Sequence, residues 1–480
     1  MEEVLLRWIG QSIAFRTEIL WLVALILSVP VSIHVLLHKR EIGASIGWIG
    51  LAWLSPIVGA TLYVLFGVNR VTRRAKKLRV KPSRQTDRPD SDDPETVAAP
   101  VLQPLDEAVS RITGLPLLGG NAVLAYRNGD EAYPAMLEAI GDARRSIALS
   151  SYIFRDDTSG RRFLAALAEA KARGVEVRVI VDGIGSGYLF PAIERHLRTL
   201  GLPVGRFMHS ALPWRMPFLN LRSHKKLLVA DGSVAFTGGI NISEQNEVSS
   251  RPRHPIRDLH FKVTGPVVEQ LTAAFVDDWA LVADEDLDGP PWFPALAPTG
   301  PTLARVVSSG PDADVRKIEL AILQAVSCAR RSIRLVTPYF LPSEVMASAL
   351  ALAAGRGLSV DVIVPATSDH PIVDWAMRAH IDPLLEAGVR IWLDDPPFDH
   401  SKVLVVDKAW CFVGSANWDM RSLRLNFELN VEIYDEALAV DLDAFMAEKM
   451  NARLTPEDLS ARSLPVRLRD ASVRLLLPYL

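Results

Sequence analysis

Histidine and lysine two residues apart, followed five residues later by aspartate, occur twice in this chain. The first set is His224, Lys226 and Asp231, the second His400, Lys402 and Asp407, and both read H-x-K-x-x-x-x-D. After each Asp the same six-residue gap leads to small residues and an Asn, Gly238-Gly239-Ile240-Asn241 and then Gly414-Ser415-Ala416-Asn417. A lone strand His is more often a hydrogen-bonded core residue, but a matched pair of His-Lys-Asn sets favours chemistry. Two imidazoles, two ammoniums and two amides suit a phosphodiester. One His can attack phosphorus and carry it as a phosphohistidine, while the other protonates the leaving oxygen and later deprotonates the acceptor. Lys and Asn can hold the equatorial oxygens. Such chemistry requires no metal and no other cofactor, and no convincing cluster of metal ligands stands out.

The filling of each motif is apolar and β-branched, Leu227 to Val229 and Val403 to Val406, which reads as a buried strand closed by a hairpin turn at Asp231-Gly232 or Asp407-Lys408. If those two residues alone form each turn, His224 lies opposite Gly239, Lys226 opposite Thr237, and His400 opposite Ser415. Side chains alternate faces with period two. His224, Lys226, Gly239 and Asn241 then share one face, as do His400, Lys402, Ser415 and Asn417, with a small residue leaving room beside each imidazole. Asp231 and Asp407 belong to the motifs, but seven strand residues span roughly 23 Å. They read as turn residues, too far away to orient their own His.

This paired pattern resembles the phospholipase D superfamily. The rest of the chain repeats around it: Ala143-Arg144-Arg145-Ser146-Ile147 returns as Ala329-Arg330-Arg331-Ser332-Ile333, and Gly174-Val175-x-Val177-x-Val179-Ile180 as Gly357-Leu358-x-Val360-x-Val362-Ile363. Within the first copy Tyr133 to Gly141 reads as helix, Ile147 to Phe154 as strand, Arg161 to Arg173 as helix and Val175 to Asp182 as strand. The fold class expected is α/β, built from two duplicated halves whose pseudo-two-fold axis brings His224 and His400 into one site.

At 480 residues, 49% apolar and 23% charged, the chain has room for more than one domain, and its net charge of −3 argues against a nucleic-acid-binding surface. Cys328 and Cys411 have no spacing that suggests a disulfide framework or a metal site. Two apolar runs open the chain, Ile19 to Leu37 and Ile42 to Val68. Each meets the length of roughly 20 residues that spans a bilayer, so a two-helix transmembrane hairpin is expected, with buried core helices as the alternative. Arg70, Arg73, Arg74, Lys76, Lys77, Arg79, Lys81 and Arg84 follow with no acid before Asp87. The positive-inside bias then places the catalytic body in the cytoplasm, with the basic run against anionic lipids.

Ala52-Trp53-Leu54, Pro56, Gly59 and Leu62 to Gly67, then Thr113 to Leu117, Tyr152 to Asp157, Asp182 to Ser186, Gly310-Pro311-Asp312, Pro338-Tyr339-Phe340 and Asn426-Phe427-Glu428 narrow the resemblance to bacterial cardiolipin synthases over nearly the whole chain. The resemblance implies an inner-membrane, multi-pass phosphatidyltransferase that joins two phosphatidylglycerols and releases glycerol. In that family setting the first motif's His is the expected nucleophile and the second the acid/base. Asp258 and Glu428 are the expected His-orienting acids, and Asn241, Asn417, Ser415 and Gly239 line the phosphate site. Two departures stand out: Gly239 where the second motif has Ser415, and Asp399 before the second His, where the family usually has an apolar residue and where it bears on headgroup preference. The expected organisation is a membrane hairpin over 1–69, a basic segment and tether over 70–105, a first half over 106–285, a linker over 286–303, and a second half over 304–480. Ala211 to Leu221 reads equally as a lipid-tail seat or a packed loop. Leu464 to Leu480 reads as an amphipathic tail or as a terminal helix packed on its own domain. The rival readings are a phospholipase D-type hydrolase, a transferase to another alcohol, and a non-catalytic membrane scaffold. The oligomeric state is not legible.

Overall fold

The computed structural model describes residues 2–38, 42–67, 101–187, 192–207, 222–310 and 316–475; the basic run, most of the tether and the stretch 211–221 lie outside them. The chain divides into two compact units, Met1–Arg74 and Ala75–Leu480.

In the first unit Glu2–His38 is one helix, and its Trp21–His38 portion, of mean hydropathy 2.0, is the one segment among the described residues long and apolar enough to cross a membrane. The second apolar run does not continue as a matching span. It forms Ile42–Leu54, breaks at Ser55, restarts as Pro56–Leu62 and ends in a π turn, Tyr63–Gly67. Pro56 has no N–H to give the preceding turn and suits the first position of a new helix. Beyond it the chain doubles back: a Cβ on Gly59 would lie 2.6 Å from the Leu51 carbonyl carbon, and the Tyr63 and Trp48 rings meet at 5.3 Å. The doubled-back run packs on the first helix, with Ser28 Oγ donating to the Ala52 carbonyl at 2.5 Å and His34 Nδ1 2.7 Å from the Tyr63 hydroxyl.

The second unit is built on one continuous 15-stranded sheet. From the centre outward the first half contributes Leu118–Arg127, Leu259–Thr264, Val234–Gly238, Leu227–Ala230, Ser146–Ser151, Glu176–Asp182 and Val204–Phe207. The second half repeats this order with Thr302–Ser309, Glu428–Tyr434, Trp410–Gly414, Val403–Val406, Ser332–Val336, Ser359–Pro365 and Arg390–Asp394, and adds Ala452–Leu454 at the edge. The halves join where Leu118–Arg127 pairs antiparallel with Thr302–Ser309. Period-two alternation sends Leu227, Val229, Val403 and Val405 to one face, where Val267–Ala283 and Glu436–Ala447 cover a core shared by both halves. Leu228 and Leu404 point the other way, into separate cores under the remaining helices of each half. Burial on both faces explains the unbroken apolar filling of both motifs.

The strand expected over Ile147 to Phe154 ends at Ser151, and Phe154 makes only an isolated bridge to Ile242. The helix Gln103–Thr113, near the expected start of the first half, buries Leu105 and Val109 in the core of the second. Its backbone is also gripped by Arg305, a fully buried residue paired with Glu432 and Asp106. At the other end Leu464–Arg474 docks on its own domain: Arg469 lies 4.0 Å over the Trp375 ring and Arg474 donates to the Ala379 carbonyl, while Leu464 and Leu468 stay exposed.

Both motif hairpins depart from the expected register by one residue. Leu227 pairs with Thr237 and Val403 with Val413, because Ser233 and Ala409 follow the two left-handed turn residues as an extra position. The turn Asp explains the preference for this shape. Asp231 accepts the backbone N–H groups of Arg144, Arg145 and Ser146, and Asp407 those of Arg330, Arg331 and Ser332, so each pins its hairpin to the start of the neighbouring strand. Replacing either Asp by Ala strands those donors and should cost about 1–3 kcal/mol. A lowered midpoint of thermal or denaturant unfolding in detergent is the expected result; lost turnover at unchanged stability would place the Asp in the chemistry instead.

Candidate active site

Each motif His follows a short segment that pairs in parallel with the other half. Ser223 bridges Phe427, and Phe398–Asp399 pairs with Ile256–Arg257. The His224 N–H accordingly bonds the Phe427 carbonyl at 2.9 Å and the His400 N–H the Arg257 carbonyl at 2.8 Å. One residue beyond Arg257 and Phe427 stand Asp258 and Glu428. This backbone stitching delivers the carboxylate of each half to the imidazole of the other, with His400 Nδ1 2.8 Å from Asp258 Oδ2 and His224 Nδ1 3.1 Å from Glu428 Oε2. The two rings meet edge to face with centroids 6.4 Å apart.

The small residues take part in the same exchange. Gly238 and Gly414 have φ of 150° and 158°, and a Cβ on either would collide with the carbonyl of Leu259 or Leu429. That glycine kink turns the next residue toward the opposite half. The Ser415 carbonyl receives His224 Nδ1 at 3.0 Å, and the Gly239 carbonyl bonds His400. Ser415 and Gly239 therefore sit beside the other motif's His, and not beside their own as a two-residue turn would give. Ser415 Oγ donates to Glu428 at 2.5 Å, and a Cβ on Gly239 would fall 2.6 Å from Asp258 Cγ, so the departure at 239 accommodates the shorter acid.

A carbonyl oxygen can only accept, so Nδ1 of each imidazole carries the hydrogen and Nε2 keeps its lone pair. Lys226 Nζ donates to the His224 carbonyl at 2.8 Å, and Lys402 Nζ to the His400 carbonyl. Lys402 Nζ also lies 2.9 Å from His400 Nδ1; with that nitrogen committed to Asp258, the carbonyl is the acceptor of the lysine. His224, both lysines and both acids are buried, and the His400 side chain is 12% exposed. Burial, reinforced by the two ammoniums, holds both imidazoles well below their usual range. Burial also lowers Lys226 to about 7 and Lys402 to about 8, and raises Asp258 and Glu428 to about 7. The site is thus a set of charges with little water to stabilise them, a state that an anionic phosphodiester between the lysines would relieve.

Asn241 Oδ1 accepts the Ile153 N–H at 3.1 Å, and the Asn417 side chain bonds Asp419 while its Oδ1 has no partner. Asp231 and Asp407 lie at the far end of their hairpins. Asp399 is buried and turned into an ion-pair cluster with Lys449 and Arg257, and it accepts the Ser401 N–H at 2.8 Å. Several supporting residues had no role assigned from the sequence, Asp182, Tyr152 and Tyr339 being landmarks of the resemblance only. Asp182 accepts the N–H groups of Ser223, Ile184 and Gly185 and so fixes the approach to His224. Tyr152 meets His224 edge-on at 4.8 Å, Tyr339 meets His400 at 6.3 Å, and Lys225 is neutralised by Asp278. An acid at the end of an otherwise apolar strand, as at Asp182, was the available signal.

Residues 136–279 and 322–450 match the family described as cardiolipin synthase, PLD-like domain. A cardiolipin synthase of Listeria welshimeri is 32% identical over 470 residues, covering 94% of this chain and 96% of that protein. One from Clostridium perfringens is 30% identical over 462 residues, covering 92% and 96%. Among solved structures, a phosphatidylserine synthase of Haemophilus influenzae shares the fold with a TM-score of 0.60 at 16% identity, covering 78% of this chain and all of that one.

The charge pattern predicts a bell-shaped dependence of kcat/KM on pH. Below about 7 Asp258 and Glu428 take up protons and the imidazoles lose their counter-charges; between about 7 and 8 Lys226 and then Lys402 lose theirs, and with them the attraction for phosphate. Glu428→Gln should lower the rate by at least about a hundredfold, by analogy with an Asp→Asn change behind a catalytic His, and should flatten the acid limb. A pH-rate series on both proteins checks this, and an unchanged acid limb in the variant would assign it to another group.

Proposed function

The chain belongs to the cardiolipin synthase family with PLD-like domains, and from that premise we propose that it transfers a phosphatidyl group from one phosphatidylglycerol to another, releasing glycerol. The observation that carries this reading is the pair of imidazoles with centroids 6.4 Å apart, each with Nδ1 engaged and with no partner on Nε2 among the described residues, beside two lysines. Donor phosphate lies between them, its oxygens held by Lys226, Lys402 and the amides of Asn241 and Asn417. Burial and the two ammoniums keep His400 neutral; as the anion seats, its charge offsets the ammoniums, and His400 takes up a proton from water on Nε2, balanced by Asp258. His224 Nε2 then attacks phosphorus, the bond to the glycerol oxygen breaks, and His400 protonates that oxygen. In the second step the hydroxyl of another phosphatidylglycerol gives its proton to His400 and attacks the phosphohistidine, freeing His224. Asp258 and Glu428 act through the imidazoles that they orient.

Incubation of purified protein with phosphatidylglycerol alone should give cardiolipin and glycerol in equal amounts; phosphatidic acid instead would make it a hydrolase, and no product would favour a scaffold. His224→Ala should abolish both turnover and covalent label from lipid labelled in its phosphate. His400→Ala should slow turnover at least about a hundredfold, the lower range for a general acid, yet leave some label attached. Phosphate found on His400 reverses the assignment.

The reading also includes membrane anchoring with the catalytic region in the cytoplasm and anionic lipid against the basic run. Trp21–His38 crosses the bilayer, and the second apolar run, doubled back at Ser55-Pro56, rests in the membrane beside it in place of the second span of a hairpin. This arrangement puts Lys39-Arg40 and Arg70 to Arg84 on one side, as the positive-inside bias favours. Cysteine accessibility in intact cells should then find Gly119 inside and an amino-terminal tag outside. A tag found inside restores the two-span hairpin, and Gly119 found outside removes the cytoplasmic assignment.

A further inference from the structure

The two halves are alike in the residues that face phosphorus but differ in charge at the rim. Arg222 stands two residues before His224, and Phe398 holds the equivalent place before His400. Arg421 follows Asn417 by four residues, as Gln245 follows Asn241; the match is structural too, since Asp419 and Ser243 cap the short helices that carry them. Both arginines therefore break the pseudo-symmetry, and they act on one neighbourhood. Arg222 donates to the Tyr152 hydroxyl at 2.8 Å, beside His224, and the charges of Arg222 and Arg421 both bear on Tyr152 and on each other. On the opposite wing Tyr339 instead donates to a carboxylate, Asp369, at 2.7 Å.

These two guanidiniums feel Asp182 and Asp419 only at longer range than an ion pair. Nε of each is buried without a hydrogen-bond partner, and among the described residues neither forms an ion pair with a carboxylate. The nearest acids are already engaged, Asp182 by three backbone N–H groups and Asp419 by that of Ser422. Both arginines are only half-buried, so a ligand can reach them. Two forked cations beside a phosphoryl-transfer site, with no carboxylate in ion-pair contact among the described residues, form a receptor for a second phosphate.

We propose that Arg222 and Arg421 form a subsite for the phosphodiester of the acceptor lipid. The inference rests on the function proposed above, in which the attacking hydroxyl belongs to a glycerol whose far end already bears a phosphate. During the second step this places a second anion one glycerol away from the reacting phosphorus. One arginine comes from each half, so the subsite lies at the seam and distinguishes a phosphate-bearing alcohol from glycerol or water.

The test compares two acceptors for the same intermediate, using the full-length protein in mixed micelles. Cardiolipin formation reads transfer to phosphatidylglycerol, and incorporation of labelled glycerol into phosphatidylglycerol reads transfer to a neutral alcohol. Arg421→Gln, which installs the residue of the symmetry-related position, and Arg222→Gln should each lower the ratio of cardiolipin formation to glycerol exchange by roughly tenfold or more, as expected for a lost charged hydrogen bond. The phosphatidylglycerol concentration giving half-maximal cardiolipin formation should rise in step, and the lysine variants should recover part of the ratio. Glycerol exchange itself reports that each variant is folded. If both rates fall in parallel, or the ratio stays at the wild-type value, the subsite is wrong while the function stands. If the wild type exchanges glycerol but makes no cardiolipin, the functional reading fails and takes the subsite with it.

Discussion

Each imidazole in this site is held by a carboxylate from the other half, and the organisation of the catalytic unit follows from that exchange. A His oriented by its own hairpin could be copied and used singly. Here Asp258 reaches His400 and Glu428 reaches His224 across the seam, so neither half contains a complete His-acid pair. The exchange requires the two hairpins to be fixed against each other within a fraction of an ångström. The continuous sheet and the parallel bridges just before each His supply that rigidity.

The arrangement keeps two lysines and two carboxylates out of water, at a cost that packing elsewhere must offset. Apolar strands on both faces and the shared core supply the packing. The site also uses the cost. Dehydrated ammoniums near the point of losing their protons attract an anion more strongly than exposed ones, and imidazoles kept neutral retain a lone pair on Nε2. Asp399 fits the same economy as an internal counter-ion for Lys449, away from the imidazole face, although its charge still helps to keep Asp258 near neutrality.

The duplication, the α/β alternation and the paired His-Lys sets were legible because they are matters of residue type and spacing. Asp258 and Glu428 could be named, but not the His that each serves, since sequence separation says nothing about which half crosses to which. Hairpin register was missed by one residue because Asp231-Gly232 suggests a two-residue turn, while the backbone donors of Arg144 to Ser146 favour one with an added residue. The second apolar run was long enough to span a bilayer, but length carries no direction, and Pro56 reverses the chain there. Asp182 and Tyr152 gave hints as landmarks without a role. Arg222 and Arg421 gave none, because their meaning lies in the contrast with Phe398 and Gln245.

The helix Gln103–Thr113 leads the catalytic unit in sequence, yet Leu105 and Val109 insert among residues of the second half, from Val307 onward to Leu459. The central strand Leu118–Arg127 likewise gains its second neighbour only from Thr302–Ser309. On the ribosome these early segments emerge long before the surfaces that bury them have been translated. Their apolar faces must wait for the second half to be made, the strand until Thr302–Ser309 and the helix until the core from Val307 to Leu459 is complete. A chain truncated late, after both motifs but before Leu459, would leave its first helix without a complete seat, so the order of assembly itself selects for finished chains.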